Sequence, residues 1–169
     1  MRVAVTGTPG TGKTTATDRL DGALDVVHLN DVISEAELTT GYDDERGSAV
    51  ADMDAVADYL DGREDVVFES HLAHQFDADR VAVLRCHPDE LVARLRDRGE
   101  PEATVDENAE SEALDVILTE AVGRHDEDSV YEIDATDRAP AETAAAIEAV
   151  VAGERDPAAG TVSFVDYLH

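Results

Sequence analysis

The run GTPGTGKT at residues 7–14 constrains this chain more than any other feature, because it matches G-x-x-x-x-G-K-[ST] at every fixed position. Before it lies the apolar run RVAVT at 2–6, which reads as a buried strand. After it, residues 13–20 read as a helix that Gly22 stops. A strand, a glycine-rich turn and a helix in that order curl backbone N–H groups around an anion. Gly7, Gly10 and Gly12 give the turn its freedom. Lys13 can reach the β- and γ-phosphates of ATP, and the Thr14 hydroxyl can coordinate Mg2+. Lys13 is the only lysine among 169 residues, and every other basic residue is Arg. An ammonium kept at this one place suits a site where a point charge meets phosphate and a planar guanidinium fits poorly.

The rest of the chain alternates strand and helix patterns. Strands are predicted at 25–29, 65–69, 80–85 and 129–133, and helices at 31–38, 48–60, 88–98, 107–124 and 139–151. Residues 39–47 and 100–106 read as polar loops, and 162–168 as a segment that either docks irregularly or stays loose. This alternation predicts an α/β architecture: a P-loop NTPase fold with a five-stranded parallel sheet, helices on both faces and a short lid. No repeat or interdomain linker is visible, so residues 1–153 read as one domain and 154–169 as a C-terminal tail.

Forty Asp and Glu against 13 basic residues leave a net charge of −27. That excludes a broad surface for clamping nucleic-acid backbones. Carboxylates hydrate strongly and concentrated salt screens their repulsion, so the composition fits a halophilic proteome. One cysteine, Cys86, excludes an intrachain disulfide framework. No stretch approaches the roughly 18 apolar residues of a membrane span, and no signal-peptide pattern is present. The expectation is a soluble, cytoplasmic protein without a membrane partner.

A P-loop fold carries an acid at the C-terminal end of another strand, beside the metal shell. The strand at 65–69 ends in Glu69, within FESH, placed to bind Mg2+ through water or to activate an attacking water. His71, two residues on, is placed to sit near a transferred phosphoryl group. His74 reads as a surface residue. Arg94, Arg96 and Arg98 lie on the helix at 88–98, with Arg94 and Arg98 on one face. Arg98 precedes Gly99 and the polar loop, where a guanidinium can fold over a triphosphate and stabilise transition-state charge. Arg96 reads equally well as a surface partner for the acid excess.

Five segments together resemble one family: TGTPGTGKTT (6–15), LND…EAEL…GYDDE (29–45), VFESH (67–71), VLRCHPDELVARLRDRG (83–99) and ENAESEALDVILTEA (107–121). They resemble the atypical adenylate kinases of archaea and eukaryotic nuclei, nucleoside monophosphate kinases that also serve in small-ribosomal-subunit maturation. The resemblance implies that Gly10, Gly12, Lys13, Thr14 and Thr15 bind ATP phosphates, with Gly7 and Thr11 in the same cradle. It implies a monophosphate-binding insert at about 30–53, a lid at about 98–108 with Arg98 as its arginine, and Glu69 and His71 as an acid-x-His element needed for ATP hydrolysis. Asp137 and Arg138 fill the loop that touches adenine in related kinases. Two features depart from the pattern. The helix DVISEAEL at 31–38 lacks the basic residue that often meets the monophosphate, and Glu69 stands where the acid is often Asp.

What the resemblance implies is phosphoryl transfer from ATP to AMP, a separate ATPase activity, and transient binding of a small-subunit ribosomal protein. The alternatives are an ATPase assembly factor with little AMP chemistry, or a small-metabolite kinase on the same fold.

Overall fold

Apolar residues fill consecutive positions of the first strand, so Val3 and Val5 face one way, Ala4 the other, and all three are fully buried. A strand buried on both sides needs a helix layer on each. The computed structural model, which describes residues 1–45 and 48–169, has that arrangement. The strands are β1 (Arg2–Gly7), β2 (Asp25–His28), β3 (Thr39–Asp43), β4 (Ser48–Ala51), β5 (Val66–Glu69), β6 (Arg80–Arg85) and β7 (Val130–Asp134). The helices are α1 (Lys13–Thr17), α2 (Leu29–Glu35), α3 (Met53–Leu60), α4 (Pro88–Asp97), α5 (Glu102–Ala113), α6 (Val116–Arg124) and α7 (Pro140–Ala152).

Five strands form one parallel sheet in the order β2-β5-β1-β6-β7. Val56 and Leu60 of α3 and Leu118 and Ala121 of α6 cover one face. Ala16 of α1 and Ile147 and Val150 of α7 cover the other. The predicted five-stranded parallel sheet with helices on both faces is therefore present. All five strands point their C-terminal ends at one edge, and a crevice for ligands forms there. Among the described residues no helix is long and apolar enough to cross a membrane.

Local structure departs from the sequence reading in several places. Residues 39–43, read as loop, and 48–51, read as helix, instead pair as the antiparallel hairpin β3-β4. Thr39, Thr40 and Tyr42 favour strand, and Asp52 ends the hairpin by capping α3, accepting from the Ala55 N–H at 3.1 Å. The last two residues of the loop read at 39–47, Arg46 and Gly47, lie outside the described residues. Helix α1 stops at Thr17, and residues 19 and 20 close tighter i→i+3 bonds to Ala16 and Thr17. The loop read at 100–106 is mostly helix, since α5 begins at Glu102 directly after Pro101. The helix read at 107–124 is two helices, broken where Asp115 takes a left-handed φ of +55°.

That break has a cause beneath it. Arg85, at the end of β6, is 1% exposed and is the largest fully buried side chain. Its guanidinium donates to Asp115 Oδ1 at 2.5 Å, Glu132 Oε2 at 2.7 Å and Glu112 Oε2 at 3.3 Å, and to the Glu112 carbonyl at 3.0 Å. Burial works against its charge, but the surrounding carboxylates outweigh that and raise its pKa. The other oxygen of Glu132 accepts from the Thr161 N–H and hydroxyl, each at 2.8 Å, and from the Val162 N–H at 3.1 Å. The tail is thereby docked: Ala158 bridges Tyr131 along the outer edge of β7, and Phe164 packs against Arg85 and His87.

Replacing Arg85 by Leu should cost about 3–5 kcal/mol, because two buried glutamates lose their cation. Denaturant unfolding at neutral pH measures this. The deficit should narrow as pH falls, since burial already raises the Glu112 pKa and a protonated carboxyl needs no cation.

Candidate active site

The P-loop sits at the C-terminal ends of β1 and β6, held there by one close approach and one left-handed turn. A Cβ on Gly7, at φ +150°, would meet the Leu84 carbonyl oxygen at 2.7 Å. Gly12, at φ +94°, turns the chain into α1. The Thr11 hydroxyl closes the loop on the Thr8 carbonyl at 2.9 Å, and Lys13 Nζ donates to that carbonyl at 3.2 Å. Thr8 in turn donates to Glu112 Oε1 at 3.0 Å, which ties the loop to α5 and so to Arg85.

Above the loop opens a cavity of about 660 Å3. Gly10, Thr11, Gly12, Lys13, Thr14 and Thr15 of the loop line it, together with Glu69, His71, Arg98 and Arg138. The structure thus brings ten of the sequence-derived site residues around one space. Gly7 lies beneath the loop and outside the cavity. Arg96 points elsewhere, paired with Glu102 at 2.9 Å. His74 is not on the surface: it is 1% exposed, hydrogen-bonded to the Thr6 hydroxyl at 2.7 Å and Glu120 at 3.1 Å, because the turn after β5 folds it under β1.

Sequence reasoning left out several residues. Arg94 lines the cavity and donates to the Gly10 carbonyl at 3.2 Å; its shared face with Arg98 was the available signal. Asn30 also lines it, and its Oδ1 accepts from Ser70 at 2.9 Å. Thr143 enters from α7. His28 matters through Glu69: its Nδ1 lies 2.7 Å from Glu69 Oε1 and its Nε2 2.9 Å from Asp18 Oδ1. No motif marks Thr143 or His28, since only helix packing and the sheet register bring them in.

The electrostatics suit an anion. Lys13, Arg94, Arg98 and Arg138 gather at one cavity in a chain of net charge −27. Burial pushes the Lys13 pKa down to about 8, with Glu69 opposing and Arg98 adding to the fall. Burial, then the charge of Lys13, pushes His71 down to about 4, so its ring is neutral near pH 7. Burial opposes charge on His28, but the hydrogen bond it donates to Glu69 and the charges of Glu69 and Asp18 prevail and raise its pKa. Thr14 Oγ1 donates to Glu69 Oε1 at 2.9 Å. A hydroxyl and a carboxylate in contact are an all-oxygen donor pair, which fits a hard divalent ion such as Mg2+ that takes its remaining ligands from water and phosphate. Among the described residues there is no cluster of three or more His, Cys, Asp or Glu that would favour a softer or more fully caged metal.

A family profile described as an AAA domain matches residues 3–115. A protein of Natronomonas pharaonis named "Putative adenylate kinase" is 62% identical over 168 residues, covering 99% of this chain and 100% of its own length. This chain belongs to that archaeal adenylate kinase-like family. Members with the same name from Halobacterium salinarum and Methanothermobacter thermautotrophicus are 60% and 41% identical, each covering at least 98% of both chains. Among solved structures, shikimate kinase from Bacteroides thetaiotaomicron superposes with a TM-score of 0.57 at 20% identity, over 90% of this chain and 98% of its own. A sugar kinase from a Janibacter species gives 0.54 at 15%, over 89% and 94%. At such identities these two establish the fold alone, which this chain shares with them.

A lysine held at about 8 by burial should regain its proton when phosphate charges arrive. Calorimetric titration of ATP at pH 8, in buffers of differing ionisation heat, should register proton uptake by the protein. ATP affinity should weaken as pH rises above 8, where unliganded Lys13 is neutral. Binding heat independent of buffer would show that burial does not hold unliganded Lys13 near neutrality.

Proposed function

We propose that this protein is an adenylate kinase-type nucleoside monophosphate kinase, transferring the γ-phosphoryl group of ATP to AMP. The observation that carries this is the single lysine of the chain, buried in a glycine-rich loop at the strand ends with three arginines around the same cavity. The loop N–H groups and Lys13 hold the triphosphate, and Arg94, Arg98 and Arg138 balance charge that spreads over the phosphoryl oxygens in an in-line transfer. Thr14 and Glu69 would hold Mg2+, which supplies further charge neutralisation when bound. The attacking oxygen of a monophosphate is already ionised, so this transfer needs no general base. The names of its relatives support the reading, as does the fold.

A second activity, ATP hydrolysis, is supported by Glu69 and His71, which both line the cavity. Water, unlike a phosphate oxygen, must lose a proton to attack. His71 is neutral near pH 7 and so can orient or accept from a water. The absence of a basic residue in α2, LNDVISE, favours weak holding of the monophosphate and hence a role in which hydrolysis drives release of a bound partner. In that role the partner is a small-subunit ribosomal protein, whose basic surface suits this acidic chain. The composition and the halophilic relatives support work in concentrated salt inside the cell.

A coupled assay with Mg2+-ATP should show ADP forming faster with AMP than without it; no acceleration by AMP or another monophosphate would overturn the kinase reading. Lys13→Ala should abolish turnover, and chelation of Mg2+ should do the same to the native protein. Substituting His71 by Asn should lower AMP-free hydrolysis by about tenfold or more while AMP-dependent transfer falls much less, within the usual range for general-base effects. Raising salt from low levels should lower KM for ATP, because long-range repulsion between an acidic protein and a polyanion is screened first; a flat KM would show that surface charge plays no part.

A further inference from the structure

The parallel register of β2 and β5 sets His28 directly beside Glu69. Their side chains meet, with Nδ1 2.7 Å from Glu69 Oε1. The same oxygen receives the Thr14 hydroxyl at 2.9 Å. Both donors therefore converge on Oε1, and among the described residues no hydrogen bond is made to Oε2. On its far side His28 is fixed by Asp18, whose Oδ1 lies 2.9 Å from Nε2. Asp18 is itself placed by the nucleotide loop, because it caps α1 and its backbone N–H bonds to the Thr14 carbonyl at 3.0 Å. A closed ring of contacts thus runs Thr14–Glu69–His28–Asp18 and returns to Thr14.

We propose that His28, held by Asp18, is a positioning residue that orients Glu69, keeping Oε1 against Thr14 and leaving Oε2 for groups that enter the cavity. A glutamate has three side-chain torsions, and a carboxylate gripped by Thr14 alone would swing about that one contact. Glu69 is 3% exposed, so its orientation is set mainly by the protein groups packed around it. The edge position of β2 leaves His28 with room to reach both acids. This inference rests on reading Glu69 as part of the metal and phosphate site, and it gives that site a third supporting element besides the loop and β5.

The test uses three variants of the full chain: His28→Leu, His28→Asn and Asp18→Ala. Outer groups that orient ligands typically contribute about 10–100-fold to activity or metal affinity. His28→Leu should lower kcat at least about tenfold with KM for ATP little changed. His28→Asn, which keeps an amide donor near the place of Nδ1, should restore most of kcat. Asp18→Ala should lower kcat in the native background and have no effect beside His28→Asn, which lacks the second nitrogen. A second readout is binding of a fluorescent ADP analogue. In EDTA all variants should bind like the native protein, whereas the strengthening of binding by Mg2+ should shrink in His28→Leu and return in His28→Asn.

Native-like kcat and Mg2+ response in His28→Leu would overturn the proposal. So would losses equal in His28→Leu and His28→Asn, or a lowered melting temperature with binding weakened in EDTA as well, because those mark a purely structural side chain. A native protein that fails to turn over AMP would count against the kinase reading alone, since the Mg2+-dependent binding still decides the role of His28.

Discussion

Everything at the nucleotide end of this molecule depends on one buried cation. Arg85 touches three acidic side chains from three separate parts of the chain: Glu112 on α5, Asp115 at the helix break and Glu132 on β7. Burying a guanidinium is costly, and burying glutamates beside it is costly too; only mutual satisfaction makes the set tolerable. Every partner is consequently held in one place. Glu112 passes that rigidity to Thr8, and Thr8 accepts Lys13 through its carbonyl. The nucleotide loop is thus braced from beneath by a polar core, with the apolar contacts of Leu91, Leu95 and Val105 joining α4 to α5 beside it.

The charge distribution has two scales. Over the whole surface, −27 repels any polyanion. At the cavity, four basic side chains gather around one space. Salt acts differently on the two, since distant surface charges are screened within a Debye length of about 8–10 Å near physiological strength while partly buried groups are screened much less. The chain can therefore carry a solubilising acidic surface and an anion site together without the first cancelling the second.

The glycine loop, the strand that ends in Glu69 and the alternation of strands and helices were legible because each is written in contiguous residues. Glycine, a lone lysine and an apolar run carry their meaning locally. The hairpin was not legible, because Val50 and Met53 happen to fall at helical spacing and the strand that pairs with residues 48–51 is polar. His74 was misread because a histidine in a short turn gives no sign that the turn folds beneath a neighbouring strand. Arg85 and Glu112 sit in patterns that look like an ordinary strand end and an ordinary acidic helix. Their pairing spans 27 positions and exists only once α5 has packed on α4. His28 shows the same limit: its importance comes from register with β5, 41 positions away.

The docking of residues 158–164 has a consequence for how the chain is made. Glu132 lies buried on β7, and one of its oxygens is satisfied by Thr161 and Val162 alone. Those residues leave the ribosome after every strand of the sheet. During synthesis β7 can therefore emerge and pair with β6 while Glu132 still lacks its last donors. Final closure of the core at that edge must wait for the segment that follows α7.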